Sequence, residues 1–414
     1  MTIEIGGGIN FGGQVMVGSI PPITATAGAT TTVTATQNTA ITNFNPFASV
    51  TGGIAPYTYF VSTGTLPTGV TINSSTGLVS GTPTIAQSAA NVVFSVKDSL
   101  NAIASTTDTV SFAVNSVYSI NYLVVAGGGG GGIGYGGSGG NGGGAGGLLA
   151  GAASLVTGTN YTITIGAGGN GARGSAFTPL DPVVNGQPGF QSSIVAPGFT
   201  TIASTGGGGG TGQAGPNNQP GGSGAGGSSF SAAFGPAVGS PGAYSVAGTQ
   251  GYPGGRGDNA GFTSGGGGGA GGSGLAAALP GSSAGAGGPG VVWPYTGSYY
   301  AGGGGAGGTN FGSPPITRPG APGGAGGGGA GPTLSAGTPG TTNTGGGGGG
   351  AGWPTALSGS GTALPGGNGG SGVVIIAVPT PNYPGSAPGA SISTPPAAPG
   401  KTVLTYTSSG TYTA

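Results

Sequence analysis

The sequence predicts an all-β chain, in which a β-sandwich is followed by a bundle of extended glycine helices framed by short β-strands. Three observations carry this reading. Glycine supplies 109 of the 414 residues, and 92 of those fall within 126–376; an ordinary chain carries about 7% glycine. Before that stretch, Thr-, Val- and Ile-rich segments alternate with period two. Only five Lys plus Arg and five Asp plus Glu are present, so the charged helix formers are nearly missing, and each glycine costs an α-helix about 1 kcal/mol against alanine.

Residues 1–20 read as an arm used in attachment or assembly. Residues 21–118 read as the sandwich. Alternating strands are visible at Thr31-Thr32-Val33-Thr34-Ala35-Thr36, Asn91-Val92-Val93-Phe94-Ser95-Val96 and Thr109-Val110-Ser111-Phe112-Ala113-Val114, with turn clusters between them. Within this region stand Leu66-Pro67-Thr68-Gly69-Val70-Thr71-Ile72-Asn73 and Thr76-Gly77-Leu78-Val79-Ser80-Gly81-Thr82-Pro83. This pair of stretches resembles the immunoglobulin-like modules of bacterial and phage surface proteins. The resemblance implies an Ig-like β-sandwich acting as a spacer or a carbohydrate-associated module.

Residues 119–378 form the glycine body. Collagen is excluded, because it needs glycine at every third position, whereas 265–269 and 345–350 are unbroken glycine runs. An extended left-handed helix with three residues per turn and about 3.1 Å rise fits instead. Such a helix has no internal hydrogen bonds, so its N–H and C=O groups must be satisfied by neighbouring helices. Helices can approach closely on every side only where no Cβ intervenes. Long glycine runs therefore suit surrounded helices, and interrupted ones such as Gly142-Gly143-Gly144-Ala145-Gly146-Gly147 suit helices with one face outward. The uneven connectors between runs hold nearly all the aromatics of this body.

Two groups of motifs make this body more specific. The first is Asn121-Tyr122-Leu123-Val124-Val125-Ala126 followed by six glycines, then Asn160-Tyr161-Thr162-Ile163-Thr164-Ile165-Gly166. The second is Tyr300-Ala301-Gly302-Gly303-Gly304-Gly305, Asn343-Thr344-Gly345 and Gly372-Val373-Val374-Ile375-Ile376. Together they resemble the glycine-rich domain of phage tail-fibre proteins and are similar in kind to distal adhesins that fold as a polyglycine-II sandwich. The resemblance implies an Ig-like β-sandwich followed by a bundle of polyglycine-II helices framed by short β-strands. It also implies a virion component that binds a bacterial host receptor through loops at its tip.

The remainder reads as a Pro/Ala-rich linker, 379–401, and a C-terminal β-strand, 402–414. An extended linker of this length reaches about 70 Å. The strand can then fold back beside residues 122–125 of its own chain, or complete the sheet of a neighbour by strand addition. Val403, Leu404, Tyr406 and Tyr412 are the candidate assembly residues. Head-to-tail exchange would build a filament.

Composition also excludes functions. With no Cys and no His, disulfide scaffolds, the usual zinc and haem sites and His-based catalysis are ruled out. The few scattered cations do not suit nucleic acid, and the sparse carboxylates do not make a glycosidase pair. Asp98 and Asp108 alone make a poor calcium cage, and Arg256-Gly257-Asp258 reads as a chance tripeptide. No enzyme, cofactor or metal is expected. The start Met1-Thr2-Ile3-Glu4-Ile5-Gly6 predicts no signal peptide. The longest apolar run, 373–378, is too short to span a bilayer.

Contact with a partner must then come from aromatic faces, hydroxyls and amides, a chemistry suited to a bacterial surface glycan or an outer-membrane protein. The candidates are Trp293, Tyr295, Tyr299 and Tyr300 in the densest aromatic connector, with Phe190, Tyr244, Tyr252 and Trp353 elsewhere. The competing role for each is to cap the ends of the bundle. The leading expectation is a phage tail-fibre adhesin in the virion, bound to other tail proteins or to copies of itself. The alternative is a self-assembling extracellular filament or sheath subunit joined by C-terminal strand exchange.

Overall fold

The structure, a computed structural model, describes residues 19–134, 136–174, 185–211, 220–229, 250–258, 262–278, 282–312, 315–354 and 363–414. Most of the predicted N-terminal arm lies outside the described residues. The chain divides into two compact units, 1–117 and 118–414.

The first unit is a β-sandwich. Its strands are β1 (Thr24–Ala27), β2 (Thr32–Thr36), β3 (Phe47–Thr51), β4 (Thr58–Thr63), β5 (Val70–Ile72), β6 (Val79–Gly81), β7 (Gln87–Lys97) and β8 (Asp108–Asn115). One sheet has the order β2-β8-β7-β4, while β1 pairs with β3 and β5 with β6. Strands β2 and β8 run parallel and the other pairs antiparallel. The period-two pattern of β8 becomes packing: Val110, Phe112 and Val114 are buried, with Thr109 facing out. They meet Val92, Phe94 and Val96 of β7 in one core. The two glycine-bearing stretches form the β5–β6 hairpin, in which Gly81 has φ +135° and stands opposite Val70. A Cβ on Gly81 would collide with the carbonyl oxygen of Gly69, so both chemistry and backbone angle demand glycine there.

The second unit couples a two-sheet sandwich to a glycine bundle. Strands β9 (Val117–Val125), β10 (Leu148–Val156), β11 (Asn160–Thr164), β12 (Ser192–Val195) and β13 (Ile202–Ser204) come first. Two hairpins follow, β14 (Val291–Trp293) with β15 (Ser298–Tyr300), and β16 (Thr309–Phe311) with β17 (Ile316–Arg318). The last strands are β18 (Val373–Pro379), β19 (Ala390–Ser393), β20 (Lys401–Tyr406) and β21 (Gly410–Thr413). One sheet has the order β10-β9-β18-β20-β19, the other β13-β12-β11-β21. Between them pack Ile120, Val124, Tyr161, Ile163, Ile194, Val374, Ile376, Leu404, Tyr406 and Tyr412. Alternate residues of the same strands, Leu123, Val125, Val373, Ile375 and Val403, face a different cluster that includes Trp293 and Tyr300. The five-stranded sheet is thus covered on both faces, which is why β18 reads as an unbroken apolar run.

The C-terminal region differs from its sequence reading. Residues 402–414 form two strands rather than one, joined at 407–409 and placed in different sheets. β20 pairs with β18, from Val374↔Tyr406 to Pro379↔Lys401, so β18 separates it from residues 122–125 of β9. β21 pairs with β11, Tyr161 opposite Tyr412. The predicted linker is not an extended spacer either. It holds a short 3-10 turn, Thr380–Asn382, and β19, which pairs with β20.

The bundle follows from three residues per turn. In 127–132, the N–H groups of Gly127 and Gly130 go to Phe190 and Gln187, those of Gly128 and Gly131 to Gly370 and Gly367, and those of Gly129 and Gly132 to Gly144 and Asn141. Their carbonyls accept in the same rhythm, from Gly207 and Gly210, from Gly169 and Ala172, and from Gly348 and Ala351. Six neighbouring segments therefore surround one helix, and every peptide group in it is paired. The reason for glycine is direct. A Cβ on Gly128, Gly129 or Gly131 would collide with the carbonyl of Gly346, Gly208 or Gly349 respectively.

The interrupted run 142–147 is also enclosed, contrary to the expectation of an outward face. Its donors reach Gly265 and Gly268, Gly348 and Gly345, and Gly208 and Thr205. Ala145 is fully buried, and its methyl group joins Leu148, Ala270, Ala301 and Trp293, where the bundle meets the sheet. A single Cβ fits there because the neighbour is a side-chain layer rather than another glycine backbone.

Candidate binding surface of the glycine-rich unit

The hydrogen-bond register gives the bundle two ends. The helix 127–132 leaves β9 directly, and 142–147 runs directly into β10, so both touch the sandwich at one end. This sheet end is closed by Ala126 N–H to Gly147, Leu148 N–H to Gln250, Ala270 N–H to Ala301 and Ala301 N–H to Thr344. The opposite, loop end is tied by Gly139 N–H to Phe262 and by the hydroxyls of Ser264 and Thr309 donating to Gly139 and Gly137, both at 2.7 Å. Short bridges join Gly134 to Leu364, Asp258 to Thr263 and Thr309 to Trp353.

The aromatic connector 291–300 lies at the sheet end as the β14–β15 hairpin. Trp293 is 2% exposed and Tyr300 is buried, both packed toward the five-stranded sheet, with Tyr295 half-buried against Trp293 at 5.0 Å between ring centres. Trp353, 4% exposed, is buried at the loop end beside β16. These three enclosed residues, Trp293, Tyr300 and Trp353, present no aromatic face to a partner. The lattice carries only small side chains such as that of Ala145, and large rings close its two margins. Tyr252 is half-buried. Tyr299 and Phe190 remain open, at 52% and 63% exposure, and Tyr244 lies outside the described residues.

The assembly candidates are enclosed as well. Val403, Leu404, Tyr406 and Tyr412 are all buried within their own chain. The Tyr412 and Tyr118 hydroxyls share a hydrogen bond of 2.9 Å, and the Tyr406 hydroxyl donates to the Thr411 carbonyl at 3.0 Å. Burial pushes both Tyr406 and Tyr412 far above the usual phenol range.

Some loop-end residues escape sequence reasoning. Phe262 and Phe311 meet edge to face at 5.3 Å. Arg173, at the end of the helix that begins at Gly166, opens onto two grooves. One, of about 210 Å³, is lined by Asn170, Gly171, Asn185 and Gln187, and the other, of about 410 Å³, includes Pro339, Pro365 and Asn368. Isolated polar residues carry no periodic signal, so only the folded register brings these together. At the sandwich, a cleft of about 410 Å³ lies between Tyr122, Ser154, Phe199 and Thr200.

In the first unit, Asp98 accepts backbone N–H bonds from Ile54, Leu100 and Ala102 at 3.1, 2.9 and 2.9 Å. Desolvation opposes its ionised form, but these donors outweigh it and hold its pKa below the usual value. Burial raises the pKa of Asp108, only partly offset by the Thr109 N–H. Among the described residues, no group of three or more His, Cys, Asp or Glu could hold a metal ion. Among them, too, no helix is long and apolar enough to cross a membrane.

The geometry defines a class: an all-β protein in which a hydrogen-bonded glycine lattice carries loops at one end and a β-sandwich at the other. Residues 104–379 match the family model described as Glycine-rich domain, more than half of the chain, and the protein belongs to that family. Residues 14–115 match the model described as Putative Ig domain. No curated protein matches the chain.

Proposed function

We propose that this protein is a virion tail-fibre adhesin whose loop end contacts the bacterial host surface. One observation carries the reading. Within the glycine-rich unit, β9 enters on the sandwich side and Ala414 is bound to Gly158 and Thr159 at the β10–β11 turn, so the entry strand and residue 414 both lie away from the loop end. A lattice of paired backbone groups then serves as a stiff, uncharged stalk for those loops. The partner is a surface glycan or an outer-membrane protein, and the Ig-like unit is the spacer toward other tail proteins. The protein performs no catalysis in this reading.

The filament alternative relies on donating the last strand to a neighbour. β20 and β21 are both paired within their own chain, which favours the adhesin. The test is binding of the labelled full-length chain to a panel of bacterial strains. Leu334 is 46% exposed at the loop end, where Gly352 N–H donates to the carbonyl of the adjacent Ser335. Saturable binding to a subset is expected, weakened by Leu334→Asp and unchanged by Tyr299→Ala at the sheet end. Absence of saturable binding to every strain, or equal loss in both variants, would overturn the assignment.

A further inference from the structure

The glycine-rich unit is nearly free of charge, so each exposed ionic group in it stands out. Among its described residues, Asp258 is the only acid, and it is buried. Arg173 is exposed, has no ion-pair partner among the described residues, and lines both loop-end grooves. Among the described residues, no carboxylate lines either groove.

The walls are held by the lattice itself. Gln187 N–H donates to the Asn170 carbonyl at 2.8 Å, and Gly366 N–H to Ala172 at 3.0 Å. Gly171 N–H donates to Asn368 Oδ1, also at 2.8 Å. That bond takes one of the two lone pairs of Oδ1, and the Nδ2 donor pair of Asn368 is available to the groove. Gln187 is the reverse case. Its Nε2 donates to the Asn185 carbonyl at 3.3 Å, which leaves Oε1 as an acceptor. A forked guanidinium beside amide donors matches a carboxylate, and a nearby amide acceptor matches the hydroxyls of a sugar ring.

We infer that the Arg173 grooves form a subsite for a carboxylate-bearing sugar, the carboxylate lying on Arg173 and Asn368 and adjacent hydroxyls on Gln187. This rests on the adhesin reading for its biological setting, but the chemistry is separable from it. A phosphate-bearing glycan offers the same anion from a different source, and the probes must distinguish the two.

The experiment measures binding of the full-length chain to oligogalacturonate, its methyl ester, neutral dextran oligosaccharides and mannose 6-phosphate by calorimetry. Oligogalacturonate is expected to bind, with affinity falling as salt rises. Methyl esterification, or Arg173→Ala, is expected to lower that affinity by about tenfold or more. Arg173→Lys should recover part of the loss, and Arg256→Ala, at a different loop-end position, should match the parent protein. Unchanged thermal melting of Arg173→Ala shows that the fold is kept. Binding of oligogalacturonate that ignores Arg173→Ala, no binding of it at all, or tighter binding of mannose 6-phosphate would each overturn the proposal. Cell binding separates the two ideas. Arg173→Ala that still binds bacteria as the parent does removes the subsite and leaves the adhesin. A parent chain that binds the acidic sugar but no bacterium does the opposite.

Discussion

The sandwich and the bundle of the glycine-rich unit hold the same chain by opposite means. Between the two sheets, Tyr161, Ile194, Ile376, Leu404 and Tyr406 fill space with side chains, and the backbone pairs only sideways along each sheet. In the bundle, 127–132 has no side chains at all, and its backbone pairs in six directions. The sandwich gains mainly from apolar surface removed from water, at roughly 25 cal/mol per Å². The bundle gains from complete pairing of peptide groups and from close Cα–H···O approach. The difference teaches that a substitution harmless in one region is intolerable in the other. Volume is the currency of the sandwich, and the absence of volume is that of the bundle.

The largest expected break of this contrast is Gly128→Val. Its side chain has no free direction, because the helix is surrounded, and the loss is expected to be at least about 3 kcal/mol, at or beyond the upper range of overpacking. Thermal unfolding with limited proteolysis should show the glycine-rich unit opening while the first unit keeps its own transition. Next come side-chain truncations in the sandwich core and at the sheet end of the bundle. Leu404→Ala should cost about 2–5 kcal/mol and Trp293→Ala about 3–5 kcal/mol, whereas Tyr299→Ala should stay within about 0.5 kcal/mol. Denaturant unfolding of the three variants checks this order. Equal small effects would mean that Trp293 does not seal the bundle against the sheet.

A smaller effect sharpens the polar part of the sandwich core. Tyr412→Phe removes the hydroxyl that pairs with Tyr118 and leaves a buried partner, for an expected cost of about 1–3 kcal/mol. The smallest effects concern pH and the first unit. Asp98 has a lowered folded pKa, so its stabilisation is present above the ordinary value of 3.8 and is lost as the pH falls through the folded value. Asp108 has a raised one, so its penalty appears as the pH rises above 3.8 and disappears on acidification. Near pH 7, Asp98→Asn should lower the melting midpoint of this unit and Asp108→Asn should raise it. Melts repeated at pH 3 should show both differences shrinking.

Much of the architecture was legible in the residues. Alternation in 109–114 placed Val110, Phe112 and Val114 in a core, because a strand turns successive side chains to opposite faces. Unbroken glycine runs pointed to helices enclosed on all sides. The functional surface was less legible. Trp293 and Tyr300 sit in the densest aromatic segment, yet a ring can serve equally as a contact or as a seal, and composition does not distinguish them. Arg173 lines one groove with Gln187 and a second with Asn368, and the hydrogen bonds of the bundle, not a sequence pattern, hold these walls beside it.

The sequence by itself determined the division of labour: β-branched alternation for sheets, and glycine wherever backbones must touch, since a Cβ at Gly128 or Gly131 has no room. Tertiary structure alone decided which helix neighbours which, because glycine runs are locally alike and only the closed hydrogen-bond network tells them apart. It also decided that residues 402–414 divide between two sheets. Leu404 needs an apolar side-chain layer and Tyr412 needs the Tyr118 hydroxyl, and one straight strand does not lie in both sheets of a sandwich.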